Sequence, residues 1–226
     1  GATPVRIMTV NLGMGLADAD ALVTAARSGV DVLAVQELTY DSVGRLSAAG
    51  MDYAFPYRSL HPQADASGAG LWSRYPFSSV APIWGFEMVF IKAHLQVDGV
   101  PVDPRIVVAH VSGPWPQPIK DWREDMHLLA ETMADEAKTP GAVVIAGDFN
   151  ATVDMRPFRE LLTIGYHDAA EQAGAGTAPT YPARSPIPPL LGIDRILVRN
   201  ATATAVHTSP VPASDHRALV ATVEFS

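Results

Sequence analysis

A chain of 226 residues is long enough to bury most of its apolar surface, and length alone favours a single domain, 1–226, over two small ones. With 16 basic against 24 acidic residues the formal charge is −8, which argues against life on polyanionic nucleic acid, where phosphate neutralisation needs clustered Lys and Arg. The absence of Cys excludes disulfides, thiolate zinc sites and cysteine nucleophiles, and no stretch approaches the roughly 18 consecutive apolar residues of a membrane span.

The N-terminal GATPVRIM lacks the basic and apolar regions of a signal peptide. VRIMTVN (5–11) and DVLAVQE (31–37) read as buried strands, β-branched and mostly apolar on both faces. Between them ADADALVTAARSG is rich in helix formers and stops at Gly29, a C-terminal cap. GAGLWSRYP and SSVAPIW suggest further strands, and VFIKAHLQVDGVPVDPRIVVAHV a hairpin turning near Asp98-Gly99. In IKDWREDMHLLAETMADEA, residues Ile119, Trp122, Met126, Leu129, Met133 and Ala137 recur every three or four positions, the pattern of an amphipathic helix. A strand then runs through 143–146 to Asp148, followed by a loop-rich stretch, the strands GIDRILVR and ATATAVH, and finally HRALVATVEFS. Strands outnumber helices and several neighbours are joined by short turns. The pattern predicts a mixed, largely antiparallel α/β arrangement, not a purely doubly wound sheet.

The polar residues sit where these strands stop. Asn11 ends the first, Gln36-Glu37 the second, His110 the hairpin's return strand, and Asp148 and Asn150 the strand in VVIAGDFN. Asp194 lies inside GIDRILV, and Ser214-Asp215-His216 opens the last strand. Each has an ordinary reading alone: Asn11 bonding its own turn, Glu37 solvated, GDFN an Asx turn, His110 a satisfied core histidine, Ser214-Asp215 a helix cap. Asp194, before an apolar strand, needs a partner if buried. Converging at one edge, they would build a cleft of carboxylates, amides and two imidazoles. Hard oxygen ligands without thiols suit Mg²⁺ or Mn²⁺ better than zinc. Strand alternation would put Asp148 and Asn150 on one face, both aimed at one phosphate.

TVNLG around Asn11, VQE around Glu37, GLWSRYP, AHV around His110, GDFN, IDRILV and SDH occur in the order seen in the endonuclease/exonuclease/phosphatase superfamily. The chain resembles that superfamily over nearly its whole length, 5–225. The resemblance implies a four-layer α-β-β-α sandwich of two mixed β-sheets and Mg²⁺-dependent cleavage of phosphoesters. It also implies roles: Glu37, helped by Asn11, binding the metal; Asp148 and Asn150 positioning the attacking water; His216, oriented by Asp194, acting at the scissile phosphate. Asp215 would help hold the metal or its water, and His110 would donate to a non-bridging phosphoryl oxygen. Gly13 stands where some nucleases of the superfamily carry an acidic residue, so a second metal is not expected. His110 replaces the Tyr of abasic-site nucleases.

TYPARSPIPPLLGIDRILV (180–198) is either a rigid core-packing loop or an exposed apolar lip beside the catalytic edge, suited to a lipid tail or membrane surface. The two Trp residues of SGPWPQPIKDW either anchor at an interface or pack. With GLWSRYP, these loops resemble a bacterial subgroup in which the domain follows N-terminal membrane helices. Some of its members are linked to teicoplanin-type resistance through an extracellular phosphatase acting on undecaprenyl pyrophosphate. The expectation is therefore a monomeric phosphatase on a phosphorylated, lipid-linked substrate, anchored on the extracytoplasmic side of a membrane. The alternatives are a DNase I-like endonuclease, for which the acidic charge and short loops supply little DNA grip, and a sphingomyelinase-like phosphodiesterase.

Overall fold

The computed structural model describes residues 1–226. Its elements run β1 (Thr3–Asn11), α1 (Ala19–Arg27), β2 (Val32–Gln36), α2 (Tyr40–Ala48), α3 (Met51–Ala54), β3 (Tyr57–His61), β4 (Ala69–Ser73), β5 (Phe77–Ile83) and β6 (Phe90–Leu95). They continue with β7 (Arg105–His110), α4 (Ile119–Glu136), β8 (Val143–Asp148), α5 (Arg156–Leu161), β9 (His167–Asp168), α6 (Ala169–Gln172), β10 (Asp194–Arg199), β11 (Thr202–Ser209) and β12 (Ala218–Phe225).

The strands form two six-stranded sheets, ordered β11-β12-β1-β2-β4-β3 and β5-β6-β7-β8-β10-β9. Each holds one parallel pair, β1 with β2 and β7 with β8, and every other neighbouring pair is antiparallel. A parallel pair needs a crossover, supplied by α1 in one sheet and α4 in the other. Asp18 caps α1 by accepting from the Ala21 N–H, and Leu22, Val23 and Ala26 form its buried stripe. On α4 the buried stripe is Trp122, Met126, Leu129 and Met133, with Ile119 left half-exposed at the first turn.

Alternation along the strands sorts the core into layers. Val5 and Ile7 of β1, Val32 and Ala34 of β2, Ile106 and Val108 of β7, and Val144 and Ala146 of β8 share the core between the sheets. Met8, Val10, Leu33 and Val35 turn the other way, onto α1 and α2. Val107, Ala109, Val143 and Ile145 pack on α4 and α5. The result is the expected helix-sheet-sheet-helix sandwich, with both sheets buried on two faces, which explains the nearly unbroken apolar runs.

Residues 38–67, unread in the sequence, contain α2, α3 and the edge strand β3. Helix α2 starts on a capping box in which Ser42 replaces the usual Glu or Gln, and it buries only Ser42 and Leu46, so its apolar period is faint. Nothing helical follows Ser214-Asp215, so the helix-cap reading of that pair is wrong; the Ser214 hydroxyl donates instead to the Asn11 carbonyl at 2.6 Å. No helix is long and apolar enough to cross a membrane.

Candidate active site

Both crossovers bring the carboxyl ends of a parallel strand pair to the same edge of the sandwich. Asn11 stands beside Gln36 in one sheet, His110 beside Asp148 in the other, and Asp194, opening antiparallel β10, also pairs with Asp148. Asn11, Gln36, His110, Asp148 and Asp194 each continue the alternation of the inter-sheet core residues on their own strand. The apolar layer between the sheets thus turns polar at this one edge. Clefts outside the carboxyl ends of strands are the usual place for ligands in α/β sheets.

Asn11 ties the two sheets together. Its amide donates to Glu37 Oε2 at 2.6 Å and to Asp148 Oδ2 at 3.0 Å, while its oxygen accepts from the Gly13 N–H at 2.9 Å. Glu37 lies just past β2 in a left-handed conformation, φ 56°, and its Oε1 accepts from the Met14 N–H at 2.8 Å. Gly13 is also left-handed, φ +61°, and a Cβ there would stand 2.9 Å from Asp215 Oδ1. A side chain at this position would need Asp215 to shift and would sit on a left-handed backbone that L residues rarely adopt.

His216 Nδ1 lies 2.7 Å from Asp194 Oδ2, and its Nε2 faces Asp148 Oδ2 at 3.8 Å and Asp215 Oδ1 at 3.9 Å. Asp194 Oδ2 accepts a further bond from the hydroxyl of Thr180 at 2.6 Å. Thr180 is fully buried and was missed in the sequence, where only its place fourteen residues before Asp194 marked it. Asp148 and Asn150 meet by a different route from simple alternation. Strand β8 ends at Asp148, and Asn150 lies beyond it at φ 46°, its N–H bonded to Asp148 Oδ1 at 2.9 Å and its side chain to the Val111 carbonyl at 2.8 Å. GDFN is both an Asx-type turn and part of the cleft.

Burial sets the charges. It pushes Asp148 up to about 7, with the Asp194 carboxylate adding and His216 opposing. Burial disfavours charge on His216, but Asp194, by charge and hydrogen bond, together with Asp148 and Asp215, outweighs it and lifts that imidazole to about 10. His110 goes the other way: burial and the nearby His216 hold it down, to about 4, against the pull of Asp194. At neutral pH the site therefore pairs an imidazolium with a neutral imidazole. Burial also raises Glu37, against the Asn11 and Met14 donors.

These residues floor a cleft of ≈ 480 Å³ walled by Met88, Trp115, Met155, Tyr181, Leu191 and Ile193. No Lys or Arg lines it. Tyr181 sits 5.0 Å from the His216 ring, centre to centre. The two readings of the proline-rich stretch resolve toward the lip, since Ile187, Leu190 and Leu191 are exposed. The two Trp residues divide: Trp115 is 84% exposed on the rim and Trp122 is buried.

Four carboxyl groups, Glu37, Asp148, Asp194 and Asp215, surround one imidazolium, and the buried Asp194 Oδ1 and Asp215 Oδ1 have no donor. Such a deficit of positive charge fits a divalent cation. Ligand atoms of Asp148, Asp194 and His216 lie within 4.8 Å of one another, although Nδ1 of His216 is committed to Asp194. The oxygens of Glu37, Asp148 and Asp215 are the better donors to a hard ion.

The model of the Endonuclease/Exonuclease/phosphatase family matches residues 8–216. No curated protein sequence matches the chain. Among solved structures, a Bacteroides vulgatus endonuclease/exonuclease/phosphatase aligns with TM-score 0.79 and 18% identity, over 99% of this chain and 100% of that one. A humanized D. rerio TDP2 aligns at 0.76 and 18%, over 97% and 98%, and a Neisseria meningitidis 3′-5′ exonuclease at 0.75 and 21%, over 96% and 98%. Fold and site together define a metal-dependent phosphoester hydrolase architecture. The chain belongs to the endonuclease/exonuclease/phosphatase family, whose members are metal-dependent hydrolases of phosphoester bonds.

Proposed function

We propose that residues 1–226 form one catalytic domain that hydrolyses, with Mg²⁺, a phosphoester or pyrophosphate carrying an apolar group, a lipid-linked pyrophosphate such as undecaprenyl pyrophosphate being the leading candidate. The observation that carries this reading is the pairing of a buried carboxylate-imidazolium cluster with a cleft whose walls are apolar and free of Lys and Arg. A polyanionic strand would need cations along the groove; an apolar tail needs the surface that Trp115, Met155 and Leu191 offer.

Glu37 and Asp215, with Asn11 orienting Glu37, would hold the metal, and Mn²⁺ would serve in its place. When bound, the ion supplies neutralisation of the charge that develops on the phosphoryl oxygens. Asp148, raised to about 7, takes a proton from the attacking water, and Asn150 helps orient that water. His216, cationic through the neutral range, donates toward the phosphoryl group, and Asp194 holds its ring. His110, neutral at pH 7, offers one N–H to a non-bridging oxygen. The exposed lip at Ile187, Leu190 and Leu191 suits a lipid-water boundary; the extracytoplasmic, membrane-anchored setting belongs to the same proposal, and fractionation of cells that make the protein tests it.

A second reading, nucleic-acid cleavage, draws on likeness to the Neisseria 3′-5′ exonuclease and to D. rerio TDP2 complexed with single-strand DNA product. A sphingomyelinase-like phosphodiesterase would use the same lip. A substrate panel separates the three: prenyl pyrophosphate, sphingomyelin and plasmid DNA, each with Mg²⁺. Phosphate release from the prenyl pyrophosphate is expected; plasmid nicking at lower enzyme concentration, with no phosphate release, overturns the lipid-linked reading.

A further inference from the structure

Two charges interrupt the buried face of α4: Glu136 near its end, paired with Lys92 and Arg105, and Asp125 in the middle of the apolar stripe. Asp125 lies on the buried face, three residues after Trp122 and four before Leu129, and is only 3% exposed. A carboxylate at a core-facing position is costly unless its oxygens are bonded. Both are: Oδ2 accepts from the Ser112 N–H at 2.9 Å and Oδ1 from the Glu87 N–H at 3.2 Å. These two donors belong to different loops, and both loops wall the cleft, one through Met88 and the other through Gly113, Pro114, Trp115 and Gln117.

The Ser112 side leads further into the site. Ser112 follows Val111, whose N–H donates to the Asp148 carbonyl at 2.9 Å and whose carbonyl accepts from the Asn150 side chain at 2.8 Å. His110 precedes Val111 directly. The peptide that Asp125 grips is thus the one that fixes the Asn150 amide, itself on a left-handed residue with φ 46°. We infer that Asp125 is a positioning residue: from the outer helix layer it sets the orientation of Asn150 through Val111-Ser112 and holds the Met88 wall against the Trp115 wall. The inference rests on the cleft being a hydrolase site, but its geometry does not depend on the substrate.

The test compares Asp125→Ala, Asp125→Asn and, as a control on the exposed side of the same helix, Glu124→Gln. Two readouts are taken: Mg²⁺-dependent hydrolysis of bis(p-nitrophenyl) phosphate, and hydrogen exchange of the Asn150 side-chain amide and the Ser112 and Glu87 N–H groups by NMR. Loss of both bonds in Asp125→Ala should lower kcat about tenfold or more, as small misplacements at a reacting centre do, and speed exchange at Asn150. Asp125→Asn keeps one acceptor and should fall between the alanine variant and the wild type, freeing one loop only; it carries the test if the alanine variant does not fold. Glu124→Gln should match the wild type in both readouts. A lowered melting temperature with kcat and Asn150 exchange unchanged makes Asp125 a packing residue and overturns the inference. If the wild type hydrolyses neither this diester nor any substrate of the panel, the hydrolase reading fails, while the Asn150 exchange still decides whether Asp125 positions it.

Discussion

His216 is held between opposing demands, burial against its charge and three carboxylates for it. Because its folded pKa, about 10, exceeds the ordinary 6.5, the stabilisation it supplies is complete below 6.5 and is lost as pH rises through about 10. His216→Ala strands Asp194 and Asp148, a loss of about 3–5 kcal/mol by analogy with broken buried pairs. Urea unfolding in EDTA should therefore show the deficit largest near pH 6.5 and shrinking toward pH 10; a deficit independent of pH contradicts the assignment. Thr180 acts on the same carboxylate from the other side. Thr180→Val should lower kcat about tenfold, as loss of a group that orients an active-site ligand commonly does, while Thr180→Ser should retain most activity. Equal activity in all three proteins would show that the hydroxyl is dispensable.

The elements explain why parts of the site were legible and others were not. Long apolar runs bounded by polar residues exposed β1, β2, β7, β8 and β12, and the ends of the first four named Asn11, Glu37, His110 and Asp148 directly. Alternation even holds the reason: Asn11, His110, Asp148 and Asp194 keep step with the inter-sheet residues of their strands. It fails at Asn150, placed by a left-handed turn, and it says nothing of Thr180, which sits in irregular chain and reaches Asp194 only through the fold. Helices α2, α5 and α6 were invisible because short helices with one or two buried residues leave no period. Gly147 shows how close the central strands approach: a Cβ there would lie 1.8 Å from the Ala109 carbonyl oxygen. Gly147→Ala must push β7 from β8 beside the His110–Asp148 pair, and the urea midpoint should register about 3 kcal/mol of destabilisation. A variant of wild-type stability contradicts the packing described.

For the whole molecule, charge and shape point the same way. A net charge of −8 and a cleft lined by no Lys or Arg mean that substrate capture owes little to long-range attraction. KM for a prenyl pyrophosphate should change little between about 50 and 200 mM salt, whereas a nuclease making several phosphate contacts weakens steeply over that range. A steep rise in KM would turn the reading toward nucleic acid. The substrate was the least legible feature in the sequence, because the lip at 187–191 and Trp115 could equally have packed inward, and only the fold decides their exposure. The chemistry is tested most directly by hydrolysis of bis(p-nitrophenyl) phosphate by the wild type and His216→Ala, with Mg²⁺ and with EDTA. Turnover should require Mg²⁺, vanish in EDTA, return with Mg²⁺ or Mn²⁺, and fall at least about 100-fold in the variant. Turnover that survives EDTA, or that His216→Ala leaves intact, would contradict metal-dependent hydrolysis at this cluster.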